Sequence, residues 1–101
     1  MAKRVYLATR DLLFRSKLAA VVAAAQGELS RDEAACDLAV LELGSPETVA
    51  RIAALVRSGI AVLAYASHVR PELLTAARAA GATAVPNSQV AERLAGILGK
   101  T

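Results

Sequence analysis

The residues of this 101-residue chain with chemical potential are few, and each follows an apolar run. Glu42 ends the run Leu38-Ala39-Val40-Leu41. Arg10 and Asp11 follow Val5-Tyr6-Leu7-Ala8, Ser67 and His68 follow Ile60 to Tyr65, and Asn87 and Ser88 follow Thr83 to Val85. Charged and hydroxyl groups just past buried strands lie where open α/β sheets bind ligands. Glu42 has two chemistries open to it as a partly buried carboxylate, metal ligation or pairing with a cation, and a desolvated charge favours the pair. Arg10, at the end of a neighbouring strand, is the expected partner. Arg10 also heads an anion-binding alternative with Ser67, His68, Arg70 and Ser88, using helix N-termini, although no glycine-rich loop brings backbone N–H groups close. His68 is the single histidine. As a base or ligand it would need a nucleophile or companion ligands, and a sequence-adjacent Ser67 makes no dyad. Its plainer role is a loop histidine bonding to backbone. Cys36, the single cysteine, reads as a small hydrophobe rather than a reactive thiol.

The elements that position these groups alternate as strand and helix. Leu38 to Leu41 shows no polar alternation, which marks a strand covered on both faces. Ile60 to Tyr65 is a second such run. Asp11 caps a helix to about Gln26, with Phe14, Leu18, Val21, Val22 and Ala25 inward and Gly27 as its stop. Ser45, Pro46 and Glu47 open a helix closed by Gly59, with Val49, Ile52, Ala53 and Val56 inward. Arg70-Pro71-Glu72 opens the next, with Leu73, Leu74, Ala77 and Ala80 inward and Gly81 as its stop. Thr83 to Val85 is a short last strand, and Ser88 caps a final helix through Val90, Leu94, Ile97 and Leu98. Between Gly27 and Cys36 there is room only for a minimal edge strand, Glu28 to Arg31, and about one helical turn, Asp32 to Ala35, so the second strand–helix unit is stunted. Repeated βα units with doubly buried strands predict a parallel sheet with helices on both faces. Residues 1–101 read as one domain.

Composition narrows the function classes. Hydrophobic residues make up 55% of the chain and aromatics 3%. Much of the apolar content is alanine, which predicts a thin, closely packed core. The net charge of +3 and pI near 9.5 are mildly basic. Yet the cations are scattered apart from Lys3-Arg4 and the Arg10, Arg15, Lys17 group, without the clustering or interleaved aromatics of nucleic-acid binders. One cysteine forms no internal disulfide, and the longest apolar run, Leu18 to Ala25, is far short of a bilayer span. A soluble cytoplasmic protein without nucleic-acid or membrane partners is expected.

The runs Asp37-Leu38-Ala39-Val40-Leu41-Glu42-Leu43, Ala61-Val62-Leu63 and Ala79-Ala80-Gly81-Ala82-Thr83, in this element order, resemble the receiver domains of bacterial response regulators (CheY-like) over essentially the whole chain. The resemblance implies a flavodoxin-like fold: α/β, a doubly wound, parallel, five-stranded sheet of order 2-1-3-4-5 in three αβα layers. It also implies phosphoryl transfer to an aspartate, which takes an acidic pair for Mg²⁺ after the first strand, the acceptor after the third, a Ser/Thr after the fourth and a Lys after the fifth. Here those positions read Arg10 and Asp11, Glu42, Ala66 with Ser67 adjacent, and Asn87 or Ser88. Asp11 alone matches. Mg²⁺ wants near-octahedral oxygen coordination, and a cation in place of a ligand opposes it. The chain therefore resembles a degenerate pseudo-receiver, a non-enzymatic signalling module with no catalytic residues, metal or cofactor. With no output domain fused, it would act through its surface on a protein partner or a second copy. The family's face for this is its fourth helix, fifth strand and fifth helix, here Leu73 to Ala82 and Val90 to Leu98.

Overall fold

The computed structural model describes residues 3–44, 46–66 and 70–99. Five strands, β1 (Arg4–Ala8), β2 (Glu28–Ser30), β3 (Leu38–Glu42), β4 (Ala61–Ala66) and β5 (Thr83–Pro86), form one parallel sheet in the order β2-β1-β3-β4-β5. Four helices, α1 (Leu12–Ala24), α2 (Pro46–Arg57), α3 (Pro71–Ala79) and α4 (Val90–Gly99), complete three layers. The expected doubly wound order is the order observed.

Side-chain alternation along the central strands divides the core in two. Leu38 and Val40 of β3 and Leu63 and Tyr65 of β4 pack with Leu18 and Val22 of α1 and Val90 and Leu94 of α4. Ala39, Leu41, Val62 and Ala64 face the other way, onto Ile52 and Leu55 of α2 and Leu73, Leu74 and Ala77 of α3. That second layer is built largely of alanine, which lets α2 and α3 approach the sheet closely. Its energy is concentrated in a few large side chains. Ile52, fully buried, would cost about 2–5 kcal/mol on truncation to alanine.

The helix ends show where local chemistry acts. Asp11 caps α1 as expected, its Oδ1 accepting from the Leu13 and Phe14 N–H groups at 3.0 and 3.1 Å. The C-terminal end differs from expectation. The left-handed residue is Gln26, at φ 62°, and the Gly27 N–H closes the turn on the Val22 carbonyl at 2.9 Å. Gly27 serves a different need: a Cβ there would lie 3.0 Å from Val22 Cγ1 and 3.2 Å from the Lys3 carbonyl. Ser88 does not cap the last helix. It lies inside a 3₁₀ turn, Asn87–Gln89, which follows Pro86 directly and has no side-chain cap. Ser45 lies outside the described residues.

The stunted second unit is more reduced than a helical turn. Residues 31–37 cross from β2 to β3 with no helix. Instead of a helical turn at Asp32 to Ala35, an isolated turn forms, with Ala35 N–H on the Asp32 carbonyl at 3.0 Å and Ala34 N–H on Asp32 Oδ1 at 2.9 Å. Buried Ser30 ties the crossing down by donating to the Asp32 or Ala35 carbonyl, at 3.0 and 2.9 Å. A short crossing suffices because β2 stops opposite Tyr6 and β3 starts opposite Val5. The sheet face over the C-terminal half of β1 therefore lacks a covering helix, and Tyr6 and Ala8 are only half-buried.

Candidate functional site: the strand-end cleft

The open area over β1 is a cleft of about 540 Å³ at the C-terminal edge of the sheet, lined among others by Tyr6, Thr9, Arg10, Glu42, Thr48 and Arg51. Strand register builds it. Ala8 pairs with Leu41, and Glu42 with Tyr65, so one step on Thr9 comes level with Glu42 on the α1 side of the sheet. The Thr9 hydroxyl donates to Glu42 Oε1 at 2.9 Å, and the Arg10 backbone N–H reaches the same oxygen at 3.1 Å. The expected Arg10–Glu42 salt bridge does not form. Alternation sends consecutive residues to opposite sides, so Thr9 rather than the Arg10 guanidinium faces Glu42. The Arg10 side chain is exposed.

Next in this row is Tyr65, 2% exposed, its ring tilted against Phe14 at 5.1 Å between centroids. Its hydroxyl is buried without a hydrogen bond. Thr9 lies near enough to favour the phenolate but not in hydrogen-bond geometry, its own proton being engaged by Glu42. Burial dominates and pushes the Tyr65 phenol up to about 12, with the negative charges of Glu42 and Asp11 adding to the shift. On the α2 side of the cleft, Arg51 pairs with Glu33 of the crossing segment, a hydrogen bond that holds the guanidinium above its ordinary range. The thiol of Cys36, in the same segment, is half-buried and donates to the Glu33 carbonyl at 3.3 Å. Burial raises its pKa, with the charges of Asp37 and Glu33 acting in the same direction.

The structure gathers Arg10, Asp11 and Glu42 at one edge, but commits Asp11 to helix capping and Glu42 to the β1–α1 turn. Ala66 is buried at the end of β4, and Asn87 and Ser88 are exposed in the 3₁₀ turn beyond β5. Ser67 and His68 lie outside the described residues. Arg10 and Ser88 of the anion alternative do not converge: β5 lies three strands from β1, about 14 Å away. Arg70 is held by Glu72 at 2.7 Å, which lowers the Glu72 pKa. The cleft itself balances Arg10 and Arg51 against Glu42 and Glu33. Among the described residues no group of three or more His, Cys, Asp or Glu side chains is placed to hold a metal ion. Sequence reasoning missed Thr9, Tyr65 and Arg51. The period-2 alternation of β1 and β3, combined with a register, would have found Thr9; Arg51 carries no local signal.

No protein-family model matches the chain, and no curated protein matches it in sequence. Solved structures do. The BeF3-activated DrrB receiver domain superposes with a TM-score of 0.80 at 17% identity, over 99% of this chain and 97% of that one. NtrX from Brucella abortus gives 0.78 at 16% identity over 99% of this chain, which spans only 26% of that protein. A de novo designed Rossmann 2x3 fold protein gives 0.73 at 15% identity, over 99% of this chain and 91% of that one. The architecture is that of the response-regulator receiver domain, with four helices in place of five. The designed protein shows that this likeness fixes the fold and not the chemistry.

Proposed function

We propose that the chain is a pseudo-receiver: a bacterial, cytoplasmic, non-enzymatic regulatory module that signals through protein–protein contact and is not competent for aspartyl phosphorylation. The receiver fold supports the regulatory reading. The observation that carries the loss of chemistry is the state of Glu42. Its Oε1 accepts from Thr9 and from the Arg10 backbone, so the group at the acceptor position works as a strut between strand ends. At the neighbouring strand end Arg10, its side chain exposed, stands where receivers have an acid. Phosphoryl transfer rests on positioning and on charge neutralisation by a metal, and a cation at a metal-ligand position works against both.

The contact surface in this reading is α3, β5 and α4, the receiver's usual output face and a candidate homodimer face. It includes a cleft of about 560 Å³ lined by Thr83, Gln89, Glu92, Arg93, Gly96 and Ile97. Two measurements test the proposal. Incubation with acetyl phosphate and Mg²⁺ is expected to leave the intact mass unchanged, and a Mg²⁺-dependent phosphate adduct on Glu42 would overturn the loss of chemistry. Affinity capture from the native cell, read by mass spectrometry, is expected to recover a protein that Arg93→Glu releases. Retention of every captured protein by that variant would place the contact elsewhere.

A further inference from the structure

The order β2-β1-β3-β4-β5 leaves β5 at the end of the sheet, with one side of its backbone facing no strand. Alternation shows which groups lie on that side. The Leu43 N–H reaches the Tyr65 carbonyl of β4. Residues on Leu43's face of the sheet therefore aim their backbone groups in the direction that runs from β3 to β5. Ala82 and Ala84 pack in the same core layer as Leu43. Their N–H and C=O groups point off the sheet, and by the same alternation so does the Pro86 carbonyl. A row of this kind is a template for a further strand.

Each outward position is unfit for pairing in its own way. The Ala82 N–H is taken by the Ala77 carbonyl at 3.1 Å, where the chain leaves α3. Pro86 has no N–H to give. The Ala84 carbonyl accepts twice from Arg78, from Nη2 at 2.8 Å and from Nε at 3.2 Å. Arg78 stands in the last turn of α3, and its guanidinium lies over the outer side of β5. Among the described residues of 82–86, the Ala84 N–H is the one outward donor that remains.

We propose that Arg78 ends the sheet at β5, keeping two copies of the chain from joining β5 to β5. In an antiparallel pair about a two-fold axis at Ala84, the two Ala84 residues exchange both of their backbone hydrogen bonds. Arg78 occupies the acceptor half of that exchange. The planar fork presents two donors to one oxygen and stays charged at any working pH. Closing the pair would therefore break two hydrogen bonds on each side and set two guanidinium groups together at the axis. Strand β5 has four residues, so loss of the central exchange leaves little ladder to form. The role does not depend on the pseudo-receiver reading. It does restrict the contact surface described above: a partner there meets the side chains of α3 and α4 and not a lengthened sheet. Were Arg78 only a tie between α3 and β5, its removal would lower stability without changing association.

Amide exchange of the full chain at micromolar and millimolar concentrations, with sedimentation velocity on the same samples, tests this. The wild-type Ala84 amide is expected to exchange fast at both concentrations. Arg78→Met keeps the apolar stem and removes donors and charge. It is expected to associate as concentration rises and to slow the Ala84 amide at least about tenfold. Arg78→Ala repeats the test without a long apolar side chain and is expected to agree. Adding Pro86→Val to either returns an N–H to the edge and is expected to strengthen both changes. Ile52→Val, a core change that leaves the edge intact, is the control for lost stability. The proposal is overturned if both Arg78 variants keep a fast Ala84 amide at every concentration, whether or not they associate, or if Ile52→Val slows that amide equally. Circular dichroism of each variant separates association of folded chains from loss of fold.

Discussion

Glu42 holds the end of β1 to the end of β3 through one oxygen, which accepts from the Thr9 hydroxyl at 2.9 Å and from the Arg10 backbone N–H at 3.1 Å. Side chain and backbone therefore predict different mutational outcomes. Glu42→Ala removes both bonds and is expected to cost about 1–2 kcal/mol, moderated by exposure of the carboxylate. Arg10→Ala leaves the backbone donor in place and is expected to stay within about 0.5 kcal/mol of wild type. Urea unfolding of the two variants checks this, and equal losses would restore the side-chain ion pair.

Tyr65 gives a pH-dependent prediction. Its buried hydroxyl has no hydrogen bond, and burial carries its pKa from the ordinary 10.0 up to about 12. Below the lower value both native and unfolded chains hold the phenolic proton. Between the two values only the native chain does, so stability falls as pH rises through this window, by up to about 1.4 kcal/mol per pH unit. Above it the loss is complete. Tyr65→Phe removes this contribution and deletes an unsatisfied polar atom, so the variant is expected to match or exceed wild type near neutrality and to gain on it steadily in alkali. A constant difference from pH 9 to 12 would show a phenol that titrates normally.

Gln26 and Gly27, just beyond the C-cap of α1, make opposite predictions for glycine. Gln26→Gly relieves a left-handed backbone and is expected to stabilise by about 0.5–1 kcal/mol. Gly27→Ala drives a methyl against Val22 and the Lys3 carbonyl and is expected to destabilise by about 1–3 kcal/mol. Thermal melts of the two variants should move in opposite directions, and a neutral Gly27→Ala would show that this corner yields.

Amide exchange should grade the sheet. β2 has three residues at the edge and a crossing without a helix behind it, whereas Leu38 to Leu41 is covered on both faces. Protection in 28–36 is expected to be far lower than in 38–43. Equal protection would mean that the crossing segment is held more firmly than its few hydrogen bonds indicate.

What could be read from the sequence follows from the range of each signal. The apolar runs at Leu38 to Leu41 and Ile60 to Tyr65 announced doubly buried strands because burial on both faces leaves no polar alternation. The cap at Asp11 and the left-handed glycines at Gly59 and Gly81 are local chemistry and were found where expected. Gly27 was misjudged because its constraint is spatial, a contact with Lys3 that no neighbouring residue reveals. The Arg10–Glu42 pair failed for a related reason. Strand ends were placed correctly, but which side chain faces which depends on register, and a shift of one residue exchanges Arg10 for Thr9. Ser88 had the composition of a cap, yet Pro86 started a tighter turn one residue earlier. The absent helix was legible only as a shortage of residues.

That shortage leaves a length of β1 without a neighbour. The Lys3 carbonyl faces β2, where it accepts from Glu28, and by alternation the Leu7 carbonyl faces the same way, past the last residue of β2. Such an unpaired strand edge invites pairing with another chain and, in the unfavourable case, growth into aggregates. Arg15 closes it by reaching back from α1 to donate Nη1 to the Leu7 carbonyl. One guanidinium thus blocks, at the outer margin of the sheet, a position that a longer second strand would have paired, and it gives a chain rich in apolar residues a built-in guard against strand addition.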